Sequence, residues 1–136
     1  MNLALPKVIF FTHIAHLYGA NRSLLSLLDH LSDKINPVVI LPFDGPICDE
    51  LRRKKIKYHV IYFTQSYCDY KHISLKRACK RLKYIKTLIS VIQKESAQLI
   101  YTNTSVLDYG IIISSLLGLP HIWHFREFGQ EDYGMQ

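Results

Sequence analysis

The sequence contains few cysteines, and their spacing argues against a disulfide framework. Three occur among 136 residues, Cys48, Cys68 and Cys79, and no two have the C-x-x-C spacing. An odd number without paired spacing is typical of reduced thiols in a reducing compartment, so we expect a cytoplasmic protein. The sequence also has no run of the roughly 18 apolar residues that a membrane-spanning helix requires. Its first residues carry neither a basic region nor a cleavage site, so we interpret them as leading into a strand and not as a signal peptide.

Several binding motifs are missing as well. The sequence has neither a G-x-G-x-x-G fingerprint nor a G-x-x-x-x-G-K-[ST] loop, which argues against a dinucleotide-binding or P-loop protein. Two His-x-x-His pairs occur, His13 with His16 and His121 with His124. The second pair has opposite parity on a strand and therefore points to two faces. With no cysteine or carboxylate at ligand spacing, we predict no metal site.

Positive charge is in excess. Lysine and arginine number 17 against 11 acidic residues, which gives a formal net charge of +6. This balance favours an anionic partner such as nucleic acid, an acidic membrane surface or a phosphorylated substrate. Because no recognition fold or aromatic RNA-binding motif is present, we do not expect nucleic acid.

Apolar runs suited to buried strands alternate with helical patterns along the whole chain. We predict strands at residues 7–12, 37–41, 57–63, 98–102 and 121–125, and helices at residues 21–33, 47–55 and 74–95 and up to Gly118. We expect Asn21 to cap the first helix and Thr104 or Ser105 to cap the fourth. This order predicts an α/β fold, a Rossmann-like doubly wound parallel sheet with strand order 3-2-1-4-5, incomplete at the C-terminus, within a single domain spanning residues 1–136.

The third predicted helix has two contrasting faces. Its apolar positions form one stripe, which comprises Leu75, Cys79, Leu82, Ile85, Ile89 and Ile92. The opposite side is basic, with Lys76, Arg77, Lys80, Arg81 and Lys83. Such a run is usually a solvated face, but charges of one sign also suit contact with an anionic bilayer.

Ligands of this fold bind beyond the carboxyl ends of the strands, near the point where the strand order reverses. The loops after strands one, four and five are therefore the informative ones. They contain a glycine at a helix N-terminus, four consecutive hydrogen-bonding side chains, and an Arg-Glu pair. Ordinary turn, capping and salt-bridge chemistry would also explain each loop taken alone.

Together the three loops resemble the N-terminal domain of family 4 glycosyltransferases, which are retaining enzymes of the two-domain GT-B fold. The resemblance covers residues 18–28, 101–107 and 118–128, in the order that the family shows. It implies that this domain binds the acceptor and lines one wall of the cleft. The implied substrate is a UDP- or GDP-linked sugar, with no other cofactor, and the implied acceptor is a cell-surface polysaccharide or a lipid-linked glycan.

The resemblance also implies roles for individual residues. The polar groups near the transferred sugar would be His124, Arg126 and Glu127, which are the implied catalytic residues. The implied substrate-binding residues are Gly19, Ala20, Asn21 and Arg22 in the first loop, and Thr102, Asn103, Thr104 and Ser105 in the second.

The family's second, donor-binding domain, with its Glu-x7-Glu motif, has no counterpart in this sequence. We therefore expect a fragment or one subunit of a split transferase, inactive as an isolated chain, which leaves an apolar surface exposed where it could dimerise. The alternative is a non-catalytic subunit that docks on a membrane or recruits a partner. A flavodoxin-like or receiver domain is a weaker alternative, because the acidic cluster and the phosphate loop of those proteins are missing.

Overall fold

The chain forms a five-stranded parallel sheet covered by helices on both faces. The computed structural model describes residues 4–66 and 74–126. Its elements are β1 (Lys7–Phe11), α1 (Gly19–His30), β2 (Asn36–Leu41), α2 (Pro46–Arg53), β3 (Lys57–Val60), α3 (Leu75–Lys94), β4 (Leu99–Thr102), α4 (Tyr109–Leu117) and β5 (His121–Trp123). The strand order is 3-2-1-4-5 and every pairing is parallel. The predicted Rossmann-like, doubly wound α/β fold is confirmed.

The central strand shows why this sequence needs two helical layers. Side chains of a strand alternate between faces, and in β1 both sets are apolar. Val8 and Phe10 pack against α1 and α2, whereas Ile9 and Phe11 pack against α3 and α4. Each face of β1 must therefore be covered, as expected for a parallel strand.

Two of the predicted helix caps are wrong. Helix α1 begins at Gly19, so Asn21 lies inside its first turn and is fully buried. Helix α4 begins at Tyr109 with Asp108 at the N-cap position, because the Thr104 hydroxyl accepts from the backbone N–H of Val106 in a turn that precedes the helix. A turn of this kind competes with helix formation for the same hydroxyl.

Other local predictions are confirmed. Ser74 caps α3, where its hydroxyl accepts from the backbone N–H of Arg77 at 3.3 Å. Gly118 ends α4 in the left-handed region with φ of 66°. A glycine adopts this conformation at little cost, which explains why the helix stops there.

The apolar stripe predicted on α3 is buried only in its second half. Leu88 and Ile92 lie in the core, but Leu75 and Leu82 are exposed and so is Cys79. A helix of 20 residues is about 30 Å long, whereas a four-residue strand spans about 13 Å. The helix is therefore longer than the sheet can cover.

The direction of α3 fixes which of its ends extends beyond the sheet. Glu95, which follows the last residue of α3, pairs with Lys7 at the start of β1 and with Lys57 at the start of β3. The C-terminus of α3 thus lies at the amino ends of the strands, and its N-terminal half extends past their carboxyl ends. Within the part of the chain described, no helix is long and apolar enough to cross a membrane.

Candidate functional site

Three loops converge where the strand order reverses, at the carboxyl ends of β1, β4 and β5. Strands β1 and β4 are neighbours but are separated in sequence by two other strands, so the loops that follow them run to opposite faces of the sheet. The crevice between these loops is where ligands bind in open parallel sheets. The hydrogen bonds there show how rigidly the loops are held.

The loop before α1 is anchored from inside the helix by Asn21. Its amide oxygen accepts from the Thr12 hydroxyl at 2.6 Å, and its amide nitrogen donates to the carbonyls of Ile14 at 3.0 Å and His16 at 2.7 Å. With all these partners inside the protein, Asn21 holds the loop in place and has no exposed surface for a ligand. Its predicted role as a direct substrate contact stays a prediction, and in this structure its side chain serves the loop.

Helix α1 presents an uncapped N-terminus at this edge. The N-cap residue, Tyr18, makes no side-chain hydrogen bond to the helix. Gly19 is exposed, and a Cβ atom added to it would have no atom within 4 Å. The first-turn N–H groups and the helix dipole make such an end favourable for an anion or a hydroxyl-rich ligand.

The loop after β4 is buried and acts as a connector. The backbone N–H of Asn103 donates to the Phe11 carbonyl at the end of β1 at 3.0 Å. The side-chain amide of Asn103 donates to the Ala20 carbonyl at 3.1 Å. The Thr104 carbonyl accepts from the indole of Trp123 at 2.8 Å. The loop therefore links the start of α1 to the end of β5.

Arg126 completes the connection from the β5 side. Its Nε donates to the side-chain oxygen of Asn103 at 2.7 Å, and one terminal nitrogen donates to the Ser23 hydroxyl at 2.8 Å. These two bonds leave further N–H donors of the guanidinium for other acceptors. A cationic group is thus held beside the N-terminal turns of α1 by contacts to two different loops.

The two histidines near β5 occupy different sides of the sheet. His124 bonds through Nδ1 to the Tyr101 hydroxyl, and His121 bonds through Nε2 to the Thr102 hydroxyl at 2.8 Å. Burial raises the pKa of Tyr101, although the positive charge of Arg126 opposes this, and burial lowers the pKa of His121. The Tyr101 hydroxyl and the His121 imidazole therefore favour their neutral forms.

Exposed aromatic rings flank the N-terminus of α1. The ring of His16 lies 5.4 Å from that of Tyr18 and 6.2 Å from that of Phe43, centroid to centroid. Tyr18 is 65% exposed and Phe43 is 41% exposed. The sequence analysis considered His16 only as one member of a His-x-x-His pair and did not single out Phe43, because an isolated aromatic residue in a loop gives no pattern.

The structure brings most of the predicted site residues together but gives them different exposure. Gly19 and Arg22 are exposed, Ala20, Ser105, His124 and Arg126 are half-buried, and Asn21, Thr102, Asn103 and Thr104 are fully buried. The buried threonines and Asn103 have hydrogen-bond partners within the protein, so they position the loops, and their contact with substrate stays a prediction. Glu127 lies outside the described residues. Sequence reasoning also missed Ser23 and Tyr101, which resemble ordinary helix and strand residues until their partners are known.

The basic residues of α3 do not all share one environment. Lys76, Arg77, Lys80 and Lys83 are exposed. Arg81 instead turns inward, where it pairs with Asp108 and lies over the ring of Tyr109 at 4.6 Å. Its predicted place on a membrane-facing surface is wrong, because its side chain is only 14% exposed and ties α3 to α4.

Comparison with solved structures places this fold among known proteins. HepE from Anabaena in complex with UDP is 20% identical with a TM-score of 0.69, over 93% of this chain and 31% of that chain. MurG from Acinetobacter baumannii is 16% identical with a TM-score of 0.66, over 88% of this chain and 35% of that chain. Formyltetrahydrofolate deformylase from Burkholderia mallei is 13% identical with a TM-score of 0.61, over 88% of this chain and 37% of that chain.

These likenesses show the fold and no more, since they extend to proteins with different names and chemistry. The chain spans about a third of the length of each of these structures. No protein-family model and no curated protein matches the sequence.

Proposed function

We propose that this chain is the acceptor-side domain of a retaining GT-B glycosyltransferase of family 4. The enzyme would transfer a sugar from a UDP- or GDP-linked donor to a cell-surface polysaccharide or a lipid-linked acceptor. Two structural neighbours support the proposal: one from Rickettsia africae is described as a glycosyltransferase, and HepE has been crystallised with UDP and with UDP-glucose. The described parts of the three sequence segments that resemble family 4 include the start of α1 and the ends of β4 and β5, where the three loops converge.

The observation that carries the proposal is the connection that Arg126 makes between these loops. Its guanidinium bonds to Asn103 and Ser23, and Asn103 in turn bonds to Ala20 at the uncapped start of α1. A fixed cation beside free helix N–H groups is suited to stabilise the negative charge that develops on a departing nucleoside diphosphate. This contribution needs no movement of the protein at the moment of reaction.

We divide the remaining residues into those that contact the substrate and those that hold the contacting loops in place. We assign substrate contact to Gly19, Ala20, Arg22 and Ser105, which have accessible surface, and propose that His124 and Glu127 act near the transferred sugar. Thr102, Thr104 and Asn21 support them from the interior. The complementary donor-binding domain would lie outside these 136 residues, and the enzyme would act in the cytoplasm at the inner face of the membrane.

Binding of nucleotide sugars tests the proposal directly. UDP, GDP and their common sugar conjugates would be titrated by calorimetry and ligand-observed NMR into this chain and into a form extended through any downstream coding sequence. We expect strong binding only to the extended form, because donor and acceptor must be held together by two domains. In that form Arg126→Gln should weaken binding about 10- to 100-fold, the range for a charge-assisted hydrogen bond.

Two further variants separate electrostatics from folding. Arg126→Lys keeps the charge but loses the planar fork, so it should recover part of the affinity. Arg53→Gln removes an equivalent charge from an exposed pair with Glu50 and should leave binding unchanged. Tight, saturable binding of a sugar nucleotide to the 136-residue chain alone would show that this domain, and not the second one, holds the donor site. Equal losses of affinity in Arg126→Gln and Arg53→Gln would show that net charge alone explains the effect.

A further inference from the structure

The N-terminal half of α3 is an exposed surface that the sheet does not explain. It extends past the carboxyl ends of the strands, and its first buried apolar residue is Leu88. From Leu75 to Lys86, about three helical turns, the side chains of Arg81, Tyr84 and Ile85 turn towards the core and all the others are exposed. We call this segment, residues 75–86, the α3 overhang.

An apolar line runs along the outer side of the overhang. Leu75 is 82% exposed, Leu82 is 66% exposed, and Cys79 between them is also exposed. Their spacing of four and then three residues places all three on one side of the helix. Leu88 and Ile92, which pack on the sheet, lie in later turns of the helix.

Positive charge borders this line on one flank. Lys76, Lys80 and Lys83 are exposed and lie on adjoining positions of the helix surface. Helix α3 contains no aspartate or glutamate, so none of its own side chains neutralises them. An exposed leucine line beside lysines with no acidic residue on the same helix is the pattern of a helix that lies in the plane of an anionic membrane surface.

We propose that the α3 overhang docks on an anionic phospholipid bilayer. Leu75, Cys79 and Leu82 would lie at the boundary of the acyl chains, while Lys76, Lys80 and Lys83 would reach the headgroup phosphates. Lysine suits this position because its long apolar stem crosses the boundary and its charge stays in water.

The composition of the surface favours lipid over a protein partner. Protein interfaces are enriched in aromatic residues and arginine and depleted of lysine, and leucine is rare among their strongest contacts. The exposed residues of the overhang have nearly the reverse composition, with four lysines, two leucines and a single arginine, Arg77. The one inward-facing arginine, Arg81, is held by Asp108 and so anchors the helix beneath this surface.

The test is partitioning of the full chain onto vesicles. Sedimentation or flotation would compare pure phosphatidylcholine vesicles with vesicles that also contain phosphatidylglycerol, at low and high salt. We expect binding only to the anionic vesicles and a decrease with salt. Replacing the three lysines (Lys76→Gln, Lys80→Gln, Lys83→Gln) should weaken partitioning about a hundredfold, at about fivefold for each charge near the surface.

Two more variants make the test specific. Leu75→Ser with Leu82→Ser should weaken binding about a hundredfold, at about tenfold for each leucine removed from the apolar boundary, and leave mainly the salt-sensitive part. The matched control, Lys34→Gln with Lys55→Gln and Lys94→Gln, removes the same charge from exposed positions outside the overhang and should have little effect. All these side chains are exposed, so thermal unfolding followed by circular dichroism should be unchanged.

Four results would overturn the proposal. The first is an equal loss in the control variant, which would show that net charge alone drives binding. The second is equal binding to neutral vesicles, and the third is no binding to anionic vesicles while the folded chain is intact. Competition by free inorganic phosphate at modest concentration would likewise point to a phosphate site and not to a bilayer surface.

Discussion

Replacing Glu95 with glutamine should destabilise the fold by about 2 kcal/mol at neutral pH. The carboxylate is only 5% exposed and is surrounded by three cationic or potentially cationic groups at the amino ends of the strands. Its oxygens lie 3.2 Å from the Lys7 ammonium, 2.7 Å from that of Lys57 and 2.7 Å from Nε2 of His59. These three contacts of Glu95 therefore fix the C-terminus of α3 to β1 and β3.

The size of the effect follows from the titration of this group. Burial alone would raise the pKa of Glu95, but hydrogen bonds from Lys57, His59 and Lys7 outweigh it and lower the pKa from 4.5 to about 2. A shift of this size corresponds to about 3.4 kcal/mol. Because Lys57 is more than half exposed to solvent, screening reduces the expected contribution to about 2 kcal/mol.

The dependence on pH provides the decisive assay. A carboxylate with a folded pKa below its unfolded value contributes its full stability above pH 4.5 and loses it as the pH falls towards 2. Urea unfolding of the native chain and of Glu95→Gln, measured from pH 7 to pH 3.5, should give a difference that decreases by about half over this range. A difference below 0.5 kcal/mol at pH 7, or one that stays constant down to pH 3.5, would refute the reasoning.

Three other variants should give measurable results. In Gly110→Ala the new Cβ would lie 2.0 Å from the Thr102 hydroxyl, so urea unfolding should show a loss of about 2 kcal/mol. Gly19→Ala has open space and should leave the unfolding free energy unchanged or slightly higher, whereas titration with the nucleotide sugar in the extended form should show weaker binding. Strand β5 lies at one edge of the described sheet and should support concentration-dependent dimers in light scattering. Ile122 is 47% exposed and Phe125 is 62% exposed, and the double variant Ile122→Thr with Phe125→Ser should abolish these dimers.

Most of the fold could be predicted because each signal was local. Buried parallel strands appear as short apolar runs, and β1 and β2 have four buried residues each. Gly118 and Ser74 act within one helical turn of their own positions, so their roles follow from sequence. The strand order required only that successive β-α units follow the usual connection rules.

The predictions that failed depended on distant partners. Asn21 has the chemistry of an N-cap, but three groups in the preceding strand and loop occupy its side chain. Arg81 has the spacing of a surface residue, but Asp108 lies 27 positions away and draws it inward. A pattern in one segment cannot report a contact made with another segment.

The site was predictable in position and only partly in detail. Parallel topology brings the ends of β1, β4 and β5 to one edge, so the three loops had to meet there. Which residue would connect them could not be read from the sequence, because Arg126 reaches Ser23 across 103 positions. The burial of Thr102 follows from its pairing with His121 and was not expected from a run of polar residues.

The overhang and the converging loops lie at the same end of the sheet, and this geometry links the two proposals. Helix α3 runs antiparallel to the strands, so a bilayer that holds its N-terminal half would run alongside the end of the molecule where β1, β4 and β5 have their carboxyl ends. A lipid-anchored acceptor could then enter the loops without leaving the membrane surface. In the extended form, loss of Lys76, Lys80 and Lys83 should therefore slow transfer to a membrane-bound acceptor and leave binding of a soluble nucleotide sugar intact. Equal effects on both would mean that the lysines serve the nucleotide site and not the membrane.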